Sequence, residues 1–106
     1  GAMTAISGSG VAYFFLLAES LAKTGVELGL DEETANRMVA QTALGAGLLL
    51  DRTPEPAELR NAVTSKGGTT HAAIETFRAH NFDDIVFKAG SAAVERGKEM
   101  ESENAE

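Results

Sequence analysis

The longest apolar run of the chain predicts its first helix. Val11–Ala18 is almost continuously apolar, and apolar residues recur at Leu21, Ala22 and Val26. Such a helix has apolar residues on nearly every side, which is typical of helices buried on more than one side. Since a chain of 106 residues offers few elements to cover it, we expect a second chain to supply part of that cover.

Glycines flank this first helix. Ser7–Gly10, with the sequence Ser-Gly-Ser-Gly, is predicted to be a flexible, hydroxyl-bearing lead-in. Gly25 and Gly29 are candidates for the C-terminal stop. Residues 1–3 (Gly-Ala-Met) resemble a protease scar followed by an initiator. We therefore expect the domain itself to occupy residues 4–106.

A long second helix is predicted to begin at Asp31. Asp31 is a suitable N-cap, and Glu32 and Glu33 place carboxylates at the positive end of the helix dipole. Gly45 and Gly47 lower the helix propensity, and we interpret the small residues around them as room for a close helix crossing. Apolar or small positions recur every three or four residues, at Ala35, Met38, Val39, Thr42, Ala46, Leu49 and Leu50.

The second half of the chain predicts three further helices. Thr53–Pro56 ends the second helix and starts a short third one, because proline is tolerated in a first turn. A loop at residues 64–68 precedes a fourth helix, which opens at Thr69 or Thr70 and stops near Asn81. The predicted inner faces are Leu59, Ala62 and Val63 in the third helix and Ala73, Ile74 and Phe77 in the fourth.

The fifth helix is predicted to begin with an Asp cap inside a hydrophobic staple. Phe82 precedes Asp83, and Phe87 follows four residues after that cap. The acidic tail from Glu99 is expected to fray. The predicted inner face consists of Ile85, Val86, Ala89, Ala93 and Arg96.

The predicted fold class is all-α, a bundle of about five helices. No segment combines strand alternation with turn signals. A dinucleotide site is not expected in this chain either. Gly8-Ser-Gly10 lacks the third glycine and the preceding strand of the usual fingerprint, and Gly45-Ala-Gly47 lies inside a predicted helix.

Composition narrows the classes of partner. The chain carries 16 acidic and 9 basic residues, a net charge of -7, with no Lys/Arg cluster, so neither nucleic acid nor a membrane surface is expected. The run Val11–Ala18 is shorter than the roughly 20 residues of a membrane span. The absence of cysteine excludes disulfides and thiolate metal sites, which suits a cytoplasmic protein.

One loop has the residues of a ligand site. In residues 64–70 (Thr-Ser-Lys-Gly-Gly-Thr-Thr), two glycines permit close backbone approach, and the free amides of the next helix favour an anion such as a carboxylate. Thr69 and Thr70 add hydroxyl donors. An ordinary turn followed by a Thr cap explains the same residues, and composition alone favours that simpler interpretation.

Other polar candidates are weaker. His71 and His80 are nine residues apart on one helix and face different directions, so capping or solvated roles are expected and no metal site. Glu32-Glu33 and Asp83-Asp84 stand at helix starts, where the dipole accounts for them. Tyr13 and its neighbouring phenylalanines are expected in a core or a subunit interface, since nothing basic accompanies them.

Two motifs resemble those of pyrroline-5-carboxylate reductases. Ser7–Tyr13 is similar to the family's Ser-Gly-Ser-Gly-Pro-Ala-Tyr opening of the dimerisation domain, and Pro56–Phe77 follows the family's signature region. Three positions depart from the family: Val11 and Lys66 replace usual prolines, and Arg78 replaces an acidic or amide residue. The matching positions in the signature are Pro56, Leu59, Val63, Thr64, Ser65, Gly67, Gly68, Thr70, Ala73, Ile74 and Phe77.

The resemblance implies the helical domain of a reductase that completes proline biosynthesis. Its fold would resemble the 6-phosphogluconate dehydrogenase C-terminal domain, interlocked with a second chain in a homodimer, and members often form rings of dimers. NADPH or NADH, held by an N-terminal Rossmann domain absent from this chain, would reduce 1-pyrroline-5-carboxylate to L-proline. This chain alone would then be inactive.

The resemblance also implies roles for the loop. Gly67, Gly68, Thr69 and Thr70 would hold the substrate carboxylate, with the Thr70 hydroxyl near the ring nitrogen. Val63, Thr64 and Ser65 would line the pocket wall. No catalytic acid or base is assigned.

Two other functions remain open. A non-catalytic helical dimerisation module would use the Gly-Gly turn only as a turn. The helical domain of a hydroxyacid or sugar-phosphate dehydrogenase would need a catalytic lysine on a helix, and the surroundings of Lys23, Lys66, Lys88 and Lys98 do not match one.

Overall fold

The computed structural model describes residues 1–105, which form helices joined by short turns. No strand occurs in this range, and the predicted all-α class is confirmed. A π-helical segment, Thr4–Gly8, comes first. The five α-helices are α1 (Gly10–Glu27), α2 (Glu32–Arg52), α3 (Pro56–Ala62), α4 (Thr69–Ala79) and α5 (Phe82–Ala105).

The chain divides into two compact units. One unit combines Gly1–Phe14 with the residues from Ala73 onward, and the other is Phe15–Ala72. In the first unit the π-helical segment packs against α5. Ala5 is buried there, and a Cβ added at Gly90 would lie 3.9 Å from the Ala5 Cβ.

The prediction of a flexible lead-in is wrong. Ser7–Gly10 belongs to the π-helical segment and the start of α1. The Ser7 hydroxyl donates to the Met3 carbonyl at 3.0 Å, and the Ser9 amide donates to the Thr4 carbonyl at 2.7 Å. Packing of this segment on α5 therefore outweighs the low helix propensity of its glycines. Ala2 and Met3 are also helical, and their origin as an expression remnant stays a prediction.

In the second unit, Gly29 ends α1 as predicted. Its φ is 113°, a left-handed conformation that glycine adopts without steric cost. The Leu30 amide donates to the Gly25 carbonyl and the Gly29 amide to the Val26 carbonyl, both at 3.0 Å, which is the Schellman pattern. Gly25 lies inside α1 instead of ending it. A Cβ there would lie 3.3 Å from the Cβ of buried Ala35.

Asp31 caps α2 as predicted. The Thr34 amide donates to Asp31 Oδ1 at 2.8 Å, and the Thr34 hydroxyl donates to Oδ2 at 3.0 Å. These bonds, the amide one above all, hold the pKa of the Asp31 carboxyl below its ordinary value of 3.8, because they favour the ionised form. The cap therefore stabilises the folded state as an anion.

Replacing Asp31 with Ala is expected to lower Tm at neutral pH, because the cap bond is lost. The folded-state pKa lies below the unfolded one, so the stabilisation is complete above 3.8 and fades as the pH falls further. The Tm difference between the two proteins should therefore shrink in acid. Circular dichroism melts at matched protein concentration measure this. Asp31→Asn, which keeps an acceptor, is the control, and equal Tm values for Asp31→Ala and the unchanged protein at neutral pH would contradict the assignment.

The predicted start of α5 is wrong in its details. The helix begins at Phe82, so Asp83 lies in the first turn and is not the cap. Asn81, with φ 61°, makes the left-handed link from α4. Phe82 packs edge-on against Phe77, with ring centroids 5.2 Å apart, and Phe87 is 72% exposed, so no staple forms. The tail expected to fray is helical as far as Ala105.

Most large apolar side chains are exposed. Within residues 1–104, only Ala5, Ala22 and Ala35 form a buried apolar core. The accessible surface is 8632 Å², whereas a compact monomer of this mass would expose about 5,700 Å². Gly45 and Gly47 would have nothing within 4 Å of an added Cβ, so the expected close helix crossing is not formed within the described chain.

One helical stretch has the length and apolar character of a membrane span. It runs from Thr4 to Glu27. It is therefore longer than the apolar run Val11–Ala18, whose short length predicted that the chain has no membrane span. The difference arises because small and hydroxyl residues extend the helix beyond that run. Core helices of soluble proteins have the same length and apolar composition.

Candidate functional site

The candidate loop begins where α3 ends. The amides of Val63 and Thr64 donate to the carbonyls of Arg60 and Asn61, both at 3.2 Å. The half-buried Thr64 hydroxyl donates to the Arg60 carbonyl at 2.6 Å. Thr64 therefore ends α3 with its side chain, while Val63 is 65% exposed.

A type II turn follows at Ser65–Gly68. The Gly68 amide donates to the Ser65 carbonyl at 2.9 Å, and Gly67 has φ 76°. This bond, the positive φ at the third residue and the negative φ at Lys66 together define type II, whose second position favours proline. Lys66 occupies that second position here, with its side chain exposed. A Cβ added at Gly68 would lie 3.2 Å from the Ser65 carbonyl oxygen, so this position has little room for a side chain.

At the start of α4, the amides of Thr69 and Thr70 have no hydrogen-bond partner within residues 1–105. The Ala72 amide donates to the Gly68 carbonyl at 3.1 Å, which makes Gly68 the last residue before the helix. The amides of Thr69 and Thr70 lie in the first turn, where no carbonyl of the same helix can accept them. Both residues are exposed. Two amides and two hydroxyls are therefore available to one anion at the positive end of a helix dipole.

Like the Gly68 amide, the Gly67 amide of the predicted site is already bonded. The Gly67 amide donates to Nδ1 of the half-buried His71 at 3.3 Å. A capping or solvated role was expected for His71, and Gly67 was expected among the residues that hold the substrate carboxylate. The bond instead ties the His71 ring to the turn that precedes α4. The signal was a histidine four residues after the glycine, at the spacing of one helical turn.

Another groove lies in the first unit, and none of its lining residues is a predicted site residue. Its walls are apolar, and its volume is about 520 Å³. The lining residues are Ala73, Thr76, Phe77, His80, Phe82 and Ile85. His80 Nδ1 lies 2.9 Å from the Thr76 carbonyl. Across residues 1–105, no three His, Asp or Glu side chains are grouped as a metal site would require.

Lys66→Pro is expected to stabilise the folded protein by about 0.4–1 kcal/mol. Proline fixes φ near the value that the second position of a type II turn needs, and the Lys66 amide donates no hydrogen bond within residues 1–105. Urea unfolding at fixed protein concentration measures the change. Lys66→Ala removes the charge alone and should have little effect. A loss of stability in Lys66→Pro would show that the turn is not type II in solution.

The chain is similar in sequence to known pyrroline-5-carboxylate reductases. Residues 1–100 match the family model described as pyrroline-5-carboxylate reductase dimerisation. The pyrroline-5-carboxylate reductase of Pseudomonas aeruginosa is 52% identical over 100 residues, covering 93% of this chain and 37% of that protein. The Haemophilus influenzae enzyme of the same name is 44% identical over 103 residues, covering 95% and 38%.

Two solved structures have the same fold. A Coxiella burnetii pyrroline-5-carboxylate reductase has a TM-score of 0.87 at 43% identity, covering 92% of this chain and 37% of that one. A Plasmodium falciparum pyrroline carboxylate reductase with NADP bound has a TM-score of 0.85 at 35% identity, covering 93% and 38%. The chain thus spans less than two fifths of the length of these relatives.

Proposed function

Because the chain belongs to the pyrroline-5-carboxylate reductase dimerisation family, we propose that it is the domain through which such a reductase dimerises and binds its substrate. The family match over residues 1–100 carries this conclusion. The complete enzyme would reduce 1-pyrroline-5-carboxylate to L-proline with NADPH or NADH. We place this reaction in the cytoplasm.

The substrate carboxylate would bind at the start of α4. The unpaired amides of Thr69 and Thr70 point to an anion, and their hydroxyls add two further donors. Gly68 would contribute by closing the turn, since a side chain there has little room beside Ser65. Gly67 would act through its left-handed φ and not as a donor. Val63 and Ser65 would border the site, with Thr64 holding the end of α3.

These residues would contribute to the reaction by positioning. The nicotinamide supplies the hydride when it is bound. Residues 1–105 contain no strand followed by a glycine-rich turn and a helix, so they do not fit a pyrophosphate site of the usual kind. Thr70 would fix the ring by contacting the carboxylate and the ring nitrogen, which holds the C=N carbon in one orientation.

The second proposed role is association with an identical chain. The accessible surface is about half as large again as a compact monomer of this mass would expose, and the exposed part is rich in Phe, Leu and Val from α1. The Tyr13 hydroxyl is inaccessible yet has no hydrogen-bond partner within residues 1–105. A second chain that interlocks with the first would cover the apolar side chains and could supply that partner.

The test is oxidation of NADPH and NADH by the reductase polypeptide that contains this chain, with 1-pyrroline-5-carboxylate as substrate. This chain alone serves as the control. Turnover by the polypeptide and none by the control is the expected result. A folded, dimeric polypeptide that is inactive with both cofactors would overturn the reductase proposal and favour a non-catalytic dimerisation module.

A further inference from the structure

His71 is joined to the candidate substrate loop by a directional contact. The Gly67 amide donates to His71 Nδ1 at 3.3 Å. A backbone amide can only donate, so Nδ1 must carry the lone pair and the ring hydrogen must be on Nε2. The imidazole is half-buried at the third position of α4. The hydrogen bond therefore connects the first turn of α4 to the loop that comes directly before it.

The turn at Ser65–Gly68 has few other interactions that fix its backbone. Its own closure is the single hydrogen bond from the Gly68 amide to the Ser65 carbonyl. Gly67, at φ 76°, has wide conformational freedom when unbonded. Lys66 stands at the position where proline would restrict the backbone, and its side chain is exposed. Without the His71 contact, nothing described in the loop would hold the Gly67 peptide in its orientation.

We propose that His71 is a positioning residue for substrate binding: its Nδ1 holds the Gly67 peptide so that the amides of Thr69 and Thr70 are presented to the substrate carboxylate. The inference rests on the proposed function of this loop. In this role His71 acts through the Gly67 peptide, to which its Nδ1 is bonded, and not by contact with the substrate. It acts by ordering the turn before the substrate arrives.

This role has a kinetic signature. A turn that is ordered in advance loses less conformational entropy on binding, so removing the bond weakens substrate affinity. Once the substrate is bound, the turn is ordered in either protein, and the hydride step is unchanged. The loss therefore appears in KM for 1-pyrroline-5-carboxylate and leaves kcat nearly constant.

The experiment compares variants of the complete reductase polypeptide. Asn places Oδ1 at the same number of bonds from Cα as His Nδ1, whereas Gln places its oxygen one bond further and Leu has no acceptor. We expect His71→Leu and His71→Gln to raise KM by about threefold to tenfold, the effect of one lost hydrogen bond. His71→Asn should keep KM within about twofold of the unchanged enzyme. His80→Leu, the same change at the exposed histidine that directly follows α4, is the control.

The outcomes separate the two proposals. If the unchanged enzyme turns over but His71→Leu and His71→Gln keep its KM, the positioning role is wrong while the proposed function stands. The role is equally wrong if all three His71 variants, Asn included, raise KM to the same extent, since that would be a general packing effect. No turnover by the folded, unchanged enzyme would overturn both proposals.

A double variant tests the same idea without relying on Leu. If His71 orders the turn, then Lys66→Pro should make it dispensable by restricting the same backbone. The KM increase caused by His71→Gln should therefore fall to about twofold or less in the Lys66→Pro background. An increase as large as in the unchanged background would contradict the inference.

Discussion

Thr70→Val is expected to raise KM for 1-pyrroline-5-carboxylate by about tenfold to a hundredfold in the complete reductase. The variant keeps the size and branching of the side chain but removes the hydroxyl at the start of α4. A hydrogen bond to a charged group contributes about 1.5–3 kcal/mol, and 1.4 kcal/mol corresponds to a factor of ten. Steady-state kinetics with varied substrate at saturating NADPH measure the effect.

The matched control is Thr70→Ser, which keeps the hydroxyl and should keep most of the affinity. The dimer should persist in both variants, because Thr70 is exposed and lies outside the apolar surface of α1. If Thr70→Val has the kinetics of the unchanged enzyme, Thr70 does not contact the substrate. The Gly-Gly segment would then be only a turn.

Leu21→Asp is expected to raise the dimer dissociation constant by at least about a hundredfold. Leu21 is a 47% exposed apolar side chain of α1, on the same side as Leu17. Burying one leucine contributes about 1.5–3 kcal/mol, and in a two-fold symmetric dimer the position occurs twice. The new carboxylate would also have to lose its hydration without a partner. Analytical ultracentrifugation over a range of concentrations measures the association.

Ser20→Asp is the control for this change. Ser20 precedes Leu21 and lies about 100° away around the helix, on the side that carries Glu19 and Lys23. The Ser20→Asp substitution introduces the same charge at an exposed position, and the dimer should persist. If both variants remain dimeric, α1 does not form the subunit interface, and its apolar side chains must have another cover.

Local chemistry made much of the fold predictable. Asp31 and Gly29 act through hydrogen bonds to residues within five positions of them, so their residue types alone indicated a helix start and a helix end. The prediction of the start of α5 failed because the packing of aromatic side chains outweighed the local capping preference. Phe82 had two possible aromatic partners, Phe87 and Phe77, and the sequence could not show that the turn at Asn81 would bring Phe77 to it.

The candidate site was predictable as a segment but not in its internal bonding. Its residues are consecutive, so the chain itself brings them together. The direction of each amide depends on the turn type, and that follows from the backbone at Gly67. Residue type therefore indicated an anion loop, but it could not show that two of its four amides are already bonded, that of Gly67 to His71 and that of Gly68 to Ser65.

The small core of this chain has a consequence for how its stability is measured. Three buried alanines release little water on folding, so most of the heat-capacity change on unfolding would come from surface that a second molecule covers. The unfolding temperature then depends on the protein concentration as well as on the sequence. Each dilution shifts the equilibrium toward separated, unfolded chains, and two preparations melted at different concentrations would differ without any difference in sequence.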